Sequence, residues 1–228
     1  GPDVLEWRVD PLVSALTAGG GDLGGKIAEV ATALRARTQL PLILTVRSEA
    51  EGGQCPEGAY TSAVETLIQC AGDGNDSRGG NPGATGVQIA LDVEVARPDS
   101  RALIEKARAQ GSHVIASFHD FSATPPDLLE RMHAMEQAGA SVAKIAVTPT
   151  NMDDVLSVLR VAHRAQAELA IPVIAISMGR MGAVTRLMGA EFGSCATFAT
   201  GPQGASAPGQ YSVCLLYTSD AADDSLRV

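Results

Sequence analysis

The residue of this sequence that is best placed to form a covalent bond with a substrate is a lysine inside an apolar segment. Lys144 lies in the run VAKIAV, residues 142–147, so its amine must project from a buried strand. Burial disfavours the ammonium form, and nearby arginines act in the same direction, which frees a nucleophilic amine. Such an amine attacks a ketone to give an imine, whose protonated nitrogen withdraws electrons. The alternative is a lysine that extends to solvent or pairs with Asp92 or Glu94.

A histidine at the end of the preceding predicted strand offers a base for the same reaction. His119 lies in the segment SFHDF, residues 117–121. It can reach a proton beside the imine, and as acid and base it can contribute a rate factor of roughly 10²–10⁴. The alternative is a structural histidine that is hydrogen-bonded to the backbone. A lysine and a histidine on adjacent strands together indicate catalysis more specifically than either does alone.

Three arginines carry planar guanidinium groups, whose N–H donors can bind hydroxyl and carboxylate groups. Arg8 and Arg47 lie in or at the end of predicted strands, whereas Arg186 lies in a helical pattern, where a surface salt bridge is the simpler interpretation. The loop SAPGQ, residues 206–210, follows the last predicted strand and adds two uncharged donors, Ser206 and Gln210. Most such loops only connect elements.

The elements that must position these residues alternate between apolar runs and amphipathic stretches. Apolar runs predict strands that begin near Val4, Leu42, Val87, His113, Val142, Val173 and Ser194. Helical spacing lies between them near 23–38, 60–70, 100–110, 125–138, 151–169 and 180–190. Thr124 and Asn151 are predicted helix N-caps, and the segment from Ala71 to Gly86 predicts a flexible surface loop. Such alternation predicts a parallel sheet.

Ionisable residues decide between an open sheet and a closed (β/α)₈ barrel. In the first run, Leu5, Trp7 and Val9 form the apolar face and leave Glu6, Arg8 and Asp10 on the other face. The polar face also receives residues of the later runs, namely Arg47, Asp92, Glu94, His119 and Lys144. An open sheet gives nearly continuous apolar strands, whereas a barrel gathers polar groups at its carboxyl-terminal mouth. We therefore predict an α/β fold of the TIM-barrel class, with about seven of the eight strands that closure requires.

Composition excludes several classes of function. The net charge of −9 repels a phosphate backbone, so no nucleic-acid partner is expected. The four cysteines lie far apart and the four histidines form no i, i+4 pair, so we expect no metal. Neither a 20-residue apolar run nor a basic and apolar leader is present, so we expect no membrane partner and a cytoplasmic location.

Blocks of sequence at the predicted strand ends resemble type I 3-dehydroquinate dehydratase. The blocks are LEWRVD (5–10), RSEAEGG (47–53), HDF (119–121), KIA (144–146), SMG (177–179), RL (186–187), FGS (192–194) and SAPGQ (206–210). They follow one another in order from about Val4 to Val213. The resemblance implies a class I aldolase-like barrel and a shikimate-pathway lyase of aromatic amino acid biosynthesis, which forms 3-dehydroshikimate without a cofactor or metal.

The resemblance also implies a role for each matching residue. Lys144 is the Schiff-base lysine, His119 the acid and base, and Glu51 a glutamate near that histidine. The substrate-binding residues are Glu6, Arg8 and Arg47 for the ring hydroxyls, Arg186, Ser206 and Gln210 for the carboxylate, and Trp7 with no particular group assigned to it. The partner is then the small molecule 3-dehydroquinate, and a homodimer is compatible with the sequence. The alternatives are a class I aldolase-type enzyme and an inactive barrel that binds a hydroxylated keto acid.

The domain prediction is one barrel domain over residues 1–213. The resemblance implies that it lacks an N-terminal strand and helix, and that its unpaired strand edges make it prone to self-association. Residues 214–228, CLLYTSDAADDSLRV, show no helical apolar face. We expect this tail to lie outside the fold.

Overall fold

A computed structural model describes residues 1–72, 88–201 and 204–216 of the chain. The predicted loop from Ala71 to Gly86 and most of the predicted tail lie outside these ranges. The chain forms two compact units. The N-terminal unit comprises residues 3–118 and 137–141, and the C-terminal unit comprises residues 1–2, 119–136 and 142–228.

The N-terminal unit is built on parallel strands. These are β1 (Leu5–Arg8), β2 (Leu42–Thr45), β3 (Ile89–Glu94) and β4 (His113–Asp120), of which the last two residues belong to the C-terminal unit. Parallel pairing joins Arg8 to Thr45, Thr45 to Asp92 and Glu94 to Ser117. Because paired residues share a face, the polar residues of these strands lie on one side of the sheet.

Four helices of this unit follow the strands or connect them. They are α1 (Asp10–Gly19), α2 (Leu23–Arg35), α3 (Glu57–Gly72) and α4 (Ser100–Ala109). Pro11 stands in the first turn of α1, where its missing N–H is not needed, and Gly20 ends that helix with a φ of 68°. Asp22 caps α2 by accepting a hydrogen bond of 3.0 Å from the Gly25 N–H. Buried Ile27, Leu67 and Ile104 fix the helices to the core.

The C-terminal unit continues the same alternation. Its elements are α5 (Leu128–Gln137), β5 (Val142–Val147), α6 (Met152–Glu168), β6 (Val173–Ser177) and α7 (Val184–Leu187), with short 3₁₀ turns at Met181–Ala183 and Gly189–Phe192. Strands β5 and β6 pair in parallel. Asn151 caps α6 through a bond of 3.0 Å from the Asp154 N–H, as its sequence position predicts.

The elements agree with the sequence prediction in kind and differ at three places. The run at Ser194 forms one isolated bridge to Val173 rather than a seventh strand, so the described residues hold six strands. Helix α1 was not predicted, because the first run was extended to Asp10, which is already helical. Thr124 is not an N-cap, since its hydroxyl donates to the Thr148 carbonyl and α5 begins only at Leu128. Over the described residues, every helix is too short or too polar to cross a bilayer.

Candidate active site

Lys144 lies on the apolar face of β5 in the C-terminal unit. Lys144 is 4% exposed, and it pairs in register with Ile174 of β6. The cluster on this face consists of Ala146, Ile174, Ile176 and Met178. The alternation of side chains along β5 therefore places the amine on the same face as this cluster.

Phe198 covers the amine of Lys144. The Nζ atom lies 4.3 Å from the centroid of the phenyl ring, within the range of a cation–π contact, and the ring also packs against the apolar cluster. No sequence pattern identifies Phe198 as a neighbour of Lys144. Phe198 lies between the bridges at Ser194 and Thr200, in a segment without regular structure, so no periodicity links it to β5.

His119 lies in the same unit, one residue before the end of β4, and is half-buried. The carboxyl ends of β4 and β5 are joined by the Asp120 carbonyl, which accepts bonds from the Thr148 N–H at 2.9 Å and the Thr148 hydroxyl at 3.1 Å. Burial opposes ionisation of Asp120, but hydrogen bonds from Ser122 and Ala123 outweigh it and lower the pKa of that carboxyl. These bonds fix the turn that follows His119.

Arg186 is buried at 4% exposure, so the surface salt bridge considered for it is wrong. Its Nη1 donates to the Phe198 carbonyl at 3.4 Å and its Nη2 to the Pro208 carbonyl at 3.2 Å. Its Nε is buried without a hydrogen-bond partner in the described part of the chain. Burial lowers the pKa of Arg186, because none of these partners is an anion.

The SAPGQ loop is held beside Arg186. The Gly179 N–H that follows β6 donates to the Pro208 carbonyl at 3.3 Å, next to the bond from Arg186. Gly209 has a φ of +73°, and a Cβ there would lie 2.7 Å from the Gly179 carbonyl oxygen. Within the loop, the Gln210 side-chain oxygen accepts from the Ser206 N–H at 2.8 Å. The C-terminal unit therefore brings together Arg186 and the loop that carries Ser206 and Gln210.

Arg47 is the centre of a buried ionic cluster in the N-terminal unit. Its Nη2 donates to Asp92 at 2.7 Å, and its Nη1 lies 3.0 Å from Glu94 and 3.2 Å from Glu51. The Ser117 hydroxyl lies 3.1 Å from the same Nη1. Burial opposes the charged guanidinium, but the three carboxylates outweigh it and raise the pKa of Arg47 above its ordinary value. Asp92 and Glu94 thus bind Arg47 within their own unit.

Glu94 accepts its hydrogen bonds in this cluster through one carboxylate oxygen. Its Oε1 accepts from Arg47 and, at 2.8 Å, from the Ser48 N–H. Its Oε2 is buried without a hydrogen-bond partner in the described residues. Burial raises the pKa of Glu94, although Arg47 and Ser48 act against the shift.

The segment after β2 folds back tightly over Arg47. The Gly53 N–H donates to the Ser48 carbonyl at 2.7 Å, and the Cys55 N–H donates to the Arg47 carbonyl at 3.0 Å. A Cβ at position 53 would lie 2.2 Å from the Arg47 carbonyl oxygen. Only glycine therefore allows this approach, which holds Glu51 against Arg47.

The remaining predicted residues lie on β1. Glu6 accepts a bond of 2.8 Å from the Thr45 hydroxyl, and Arg8 forms a two-pronged pair with Asp10 at 2.7 and 2.8 Å. Trp7 alternates with Glu6 and Arg8, so it lies on the other face of the strand. Among the described residues, no group of three or more His, Cys, Asp or Glu side chains is arranged to hold a metal ion.

Parallel strands that alternate with helices, with ionisable side chains towards the ends of the strands, define an enzyme of the α/β barrel class. The chain belongs to the type I 3-dehydroquinase family, whose family model matches residues 1–218. It is 38% identical over 214 residues to the 3-dehydroquinate dehydratase of Aromatoleum aromaticum, covering 92% of this chain and 75% of that protein.

Two solved structures extend the comparison to the fold. The chain resembles the 3-dehydroquinate dehydratase of Geobacillus kaustophilus with a TM-score of 0.83 at 31% identity, covering 100% of this chain and 82% of that one. It resembles the type I enzyme of Clostridium difficile, solved with covalently modified comenic acid, with a TM-score of 0.79 at 31% identity over 98% and 83% of the two chains. The predicted fold class and the assignment to a family of hydro-lyases are confirmed.

Proposed function

We propose that this chain removes water from 3-dehydroquinate to give 3-dehydroshikimate through an imine on Lys144. The observation that carries the proposal is the position of this amine, on a strand residue that is 4% exposed, with Nζ against the Phe198 ring. An amine at this position can attack a ketone carbon to form an imine. Membership of the dehydroquinase family supplies the substrate.

The proposed reaction has four steps. The Lys144 nitrogen adds to the ketone carbon at C3, and the ketone oxygen leaves as water. His119 then removes a proton from C2, and the electrons pass to the protonated imine. The enamine expels the hydroxyl group at C1, which leaves as water with a proton from His119. Hydrolysis of the imine consumes one water, so the net change is the loss of one water from the substrate.

The half-buried position of His119 supports its proposed role. The turn after it is fixed by the bonds of Asp120 to Thr148, Ser122 and Ala123. A base that is held at the end of a strand loses little conformational entropy when it is oriented for the reaction. One imidazole can serve twice, first as base at C2 and then as acid at the C1 hydroxyl.

Arg186 is the proposed receptor for the substrate carboxylate. Its guanidinium is buried and, among the described residues, donates only to main-chain carbonyl oxygens. An incoming carboxylate would supply the missing anion, and a fork of two N–H donors binds it with defined geometry. Ser206 and Gln210, on the loop beside Arg186, add uncharged donors for the same group.

The N-terminal unit supplies the proposed ligands of the ring hydroxyls. Glu6, Arg8 and Arg47 carry this role through their match to the family, and each is already fixed by a partner in its own unit. The match of Glu51 to a catalytic glutamate remains part of the proposal. We give Trp7 no substrate contact, because alternation turns it away from Glu6 and Arg8.

Borohydride reduction tests the proposal, because the sequence contains only three lysines, Lys26, Lys106 and Lys144. Incubation with 3-dehydroquinate and borohydride should add the reduced product to the peptide that contains Lys144, as read by mass spectrometry. The variants Lys26→Arg and Lys106→Arg are matched controls, since both lysines form exposed ion pairs, and they should label normally. Labelling at another lysine would refute the assignment of Lys144, and binding without labelling would favour an inactive binding protein.

A further inference from the structure

Asp10, in the first turn of α1, carries a carboxylate that is completely buried. Its Oδ1 accepts a hydrogen bond of 2.7 Å from Arg8 Nε, and its Oδ2 accepts one of 2.8 Å from Arg8 Nη2. A third bond of 3.0 Å reaches Oδ2 from the Gln54 N–H. A buried carboxylate requires such donors, because burial without them is costly. Both oxygens of Asp10 therefore hold Arg8, and the main chain at Gln54 holds the carboxylate.

The ion pair of Arg8 and Asp10 has an accessible end and a buried end. The side chain of Arg8 is 23% exposed, whereas that of Asp10 is 0% exposed. Arg8 pairs in register with Thr45, and Thr45 pairs with Asp92, so Arg8 lies on the polar face of the sheet. Part of the Arg8 side chain is thus accessible to a small molecule, and the carboxylate that anchors it is not.

We propose that Asp10 is a positioning residue, which fixes the plane of the Arg8 guanidinium for a ring hydroxyl of the substrate. This role rests on the proposed function, which gives Arg8 the contact with that hydroxyl. Two parallel N–H···O bonds to one carboxylate define the orientation of a guanidinium. A side chain that is fixed before a ligand arrives loses little conformational entropy on binding. Asp10 therefore improves substrate binding through Arg8.

The substitution Asp10→Asn disturbs the bonds to Arg8 and spares the bond to the main chain. The amide oxygen can take the place of Oδ2 and keep the bonds from the Gln54 N–H and from Arg8 Nη2. The amide NH2 group then takes the place of Oδ1 and faces the Arg8 Nε–H, so that two donors meet. The variant therefore retains the anchor of residue 10 and releases the plane of the guanidinium.

Steady-state kinetics test the positioning. Asp10→Asn should raise the KM for 3-dehydroquinate about three- to tenfold, because one long side chain must then be ordered on binding, and should change kcat by less than about twofold. In an Arg8→Met background, the same substitution should change the KM by less than about twofold, since Asp10 acts through Arg8. Glu105→Gln, in the exposed ion pair with Arg101, is the matched control and should leave the KM unchanged.

Two kinetic results would overturn the role of Asp10. The first is a KM that Asp10→Asn does not change. The second is an equal rise of the KM in the presence and in the absence of Arg8, because an effect of Asp10 on the fold alone would persist in the Arg8→Met background.

Nuclear magnetic resonance tests the fixed guanidinium without substrate and without a change at Asp10. The Nε–H signal of Arg8, assigned by its absence from Arg8→Lys, should exchange slowly with water in the ligand-free protein. The Nε–H signal of Arg101, whose side chain is 75% exposed, should exchange rapidly and serves as the reference. Equally rapid exchange of the two signals would show that Asp10 does not hold Arg8, and would overturn the proposal.

Borohydride labelling separates the role of Asp10 from the proposed function. Failure to label Lys144 in the unaltered protein would refute the function, and the exchange rate of the Arg8 signal would still decide whether Asp10 holds the guanidinium. Labelling of Lys144 together with an unchanged KM in Asp10→Asn would refute the role of Asp10 alone.

Discussion

Two arginines of this protein are buried to a similar degree, but their guanidinium groups bind different kinds of hydrogen-bond acceptor. Arg47 is 3% exposed and Arg186 is 4% exposed. Arg47 binds three carboxyl groups of its own unit, whereas Arg186 donates to carbonyl oxygens and leaves its Nε without a partner in the described residues. The first is therefore held in place before any ligand arrives, and the second lacks an anion that a ligand can supply.

The contrast between the two arginines distinguishes a guanidinium that is held in a fixed geometry from one that gains binding energy from a ligand. A guanidinium that is saturated by protein carboxylates keeps a fixed geometry but gains little charge attraction for a ligand. A buried guanidinium that faces only dipoles is costly for the fold and gains most from a carboxylate. We expect substitutions in the two units to affect stability and catalysis differently.

The largest effect is expected at Lys144. Lys144→Met keeps an apolar chain on the face of β5 and removes the nucleophile, so kcat/KM for 3-dehydroquinate should fall by at least about 10⁴-fold. Steady-state assay of the dehydrated product measures this loss. Lys106→Arg, at an exposed ion pair, serves as the control. Residual activity within about tenfold of the original would rule out an imine on this lysine.

A smaller loss is expected for the base. His119→Asn should lower kcat by about 10²–10⁴-fold while the imine still forms, because proton transfer and amine addition are separate steps. Borohydride labelling of Lys144 in this variant should persist even though turnover is slow. A variant that neither turns over nor labels would show that His119 is needed before imine formation, contrary to the proposed order.

The contrast between the arginines is tested most directly by paired substitutions. Arg47→Met leaves three buried carboxyl groups without their cation and should lower the free energy of unfolding by about 3–5 kcal/mol. Arg186→Met removes a buried cation that has no anionic partner among the described residues, so it should leave that free energy unchanged or raise it. Urea denaturation measures both.

The same pair should diverge in substrate binding. Arg186→Met should raise the KM for 3-dehydroquinate by about 10- to 100-fold, which corresponds to about 1.4–2.7 kcal/mol. Equal destabilisation by the two substitutions would remove the basis for treating Arg186 as a receptor for a ligand carboxylate.

The smallest effect is expected at Phe198. A double-mutant cycle of Phe198→Leu with Lys144→Met should give a coupling of about 0.5–1 kcal/mol in the free energy of unfolding, because the leucine keeps apolar contact and loses the cation–π contact. The cycle of Phe198→Leu with Lys106→Met should give none. Coupling of the same size in both cycles would point to a general packing effect.

Much of the framework could be predicted because it depends on periodicity. The apolar runs at Leu42, His113, Val142 and Val173 coincide with the starts of β2, β4, β5 and β6. The burial of Lys144 could be predicted from its apolar neighbours. The start of α1 at Asp10 could not be read from the alternation, because the β-type pattern of the first run continues through Asp10. Pro11, in the first turn of the helix, is the residue that favours a helix start there.

The contacts of the candidate site could not be predicted in the same way. Phe198 meets Lys144, and Glu94 meets Ser48, across 54 and 46 positions of sequence respectively. Arg186 lies in a helical pattern that suits a surface position, but it is buried, and its Nη2 donates to the Pro208 carbonyl of a loop far along the chain. Such long-range partners leave no local pattern, and the identity of the substrate came from the family resemblance.

The absence of a side chain at Gly53 limits how the Arg47 segment can change. A single added methyl group would meet the Arg47 carbonyl oxygen at 2.2 Å, so the main chain would have to shift. Such a shift would tilt the guanidinium without altering any polar group. In laboratory evolution for new substrates, a substitution at Gly53 would therefore change the orientation of the Arg47 guanidinium. The same substitution would also reshape the turn that holds Glu51.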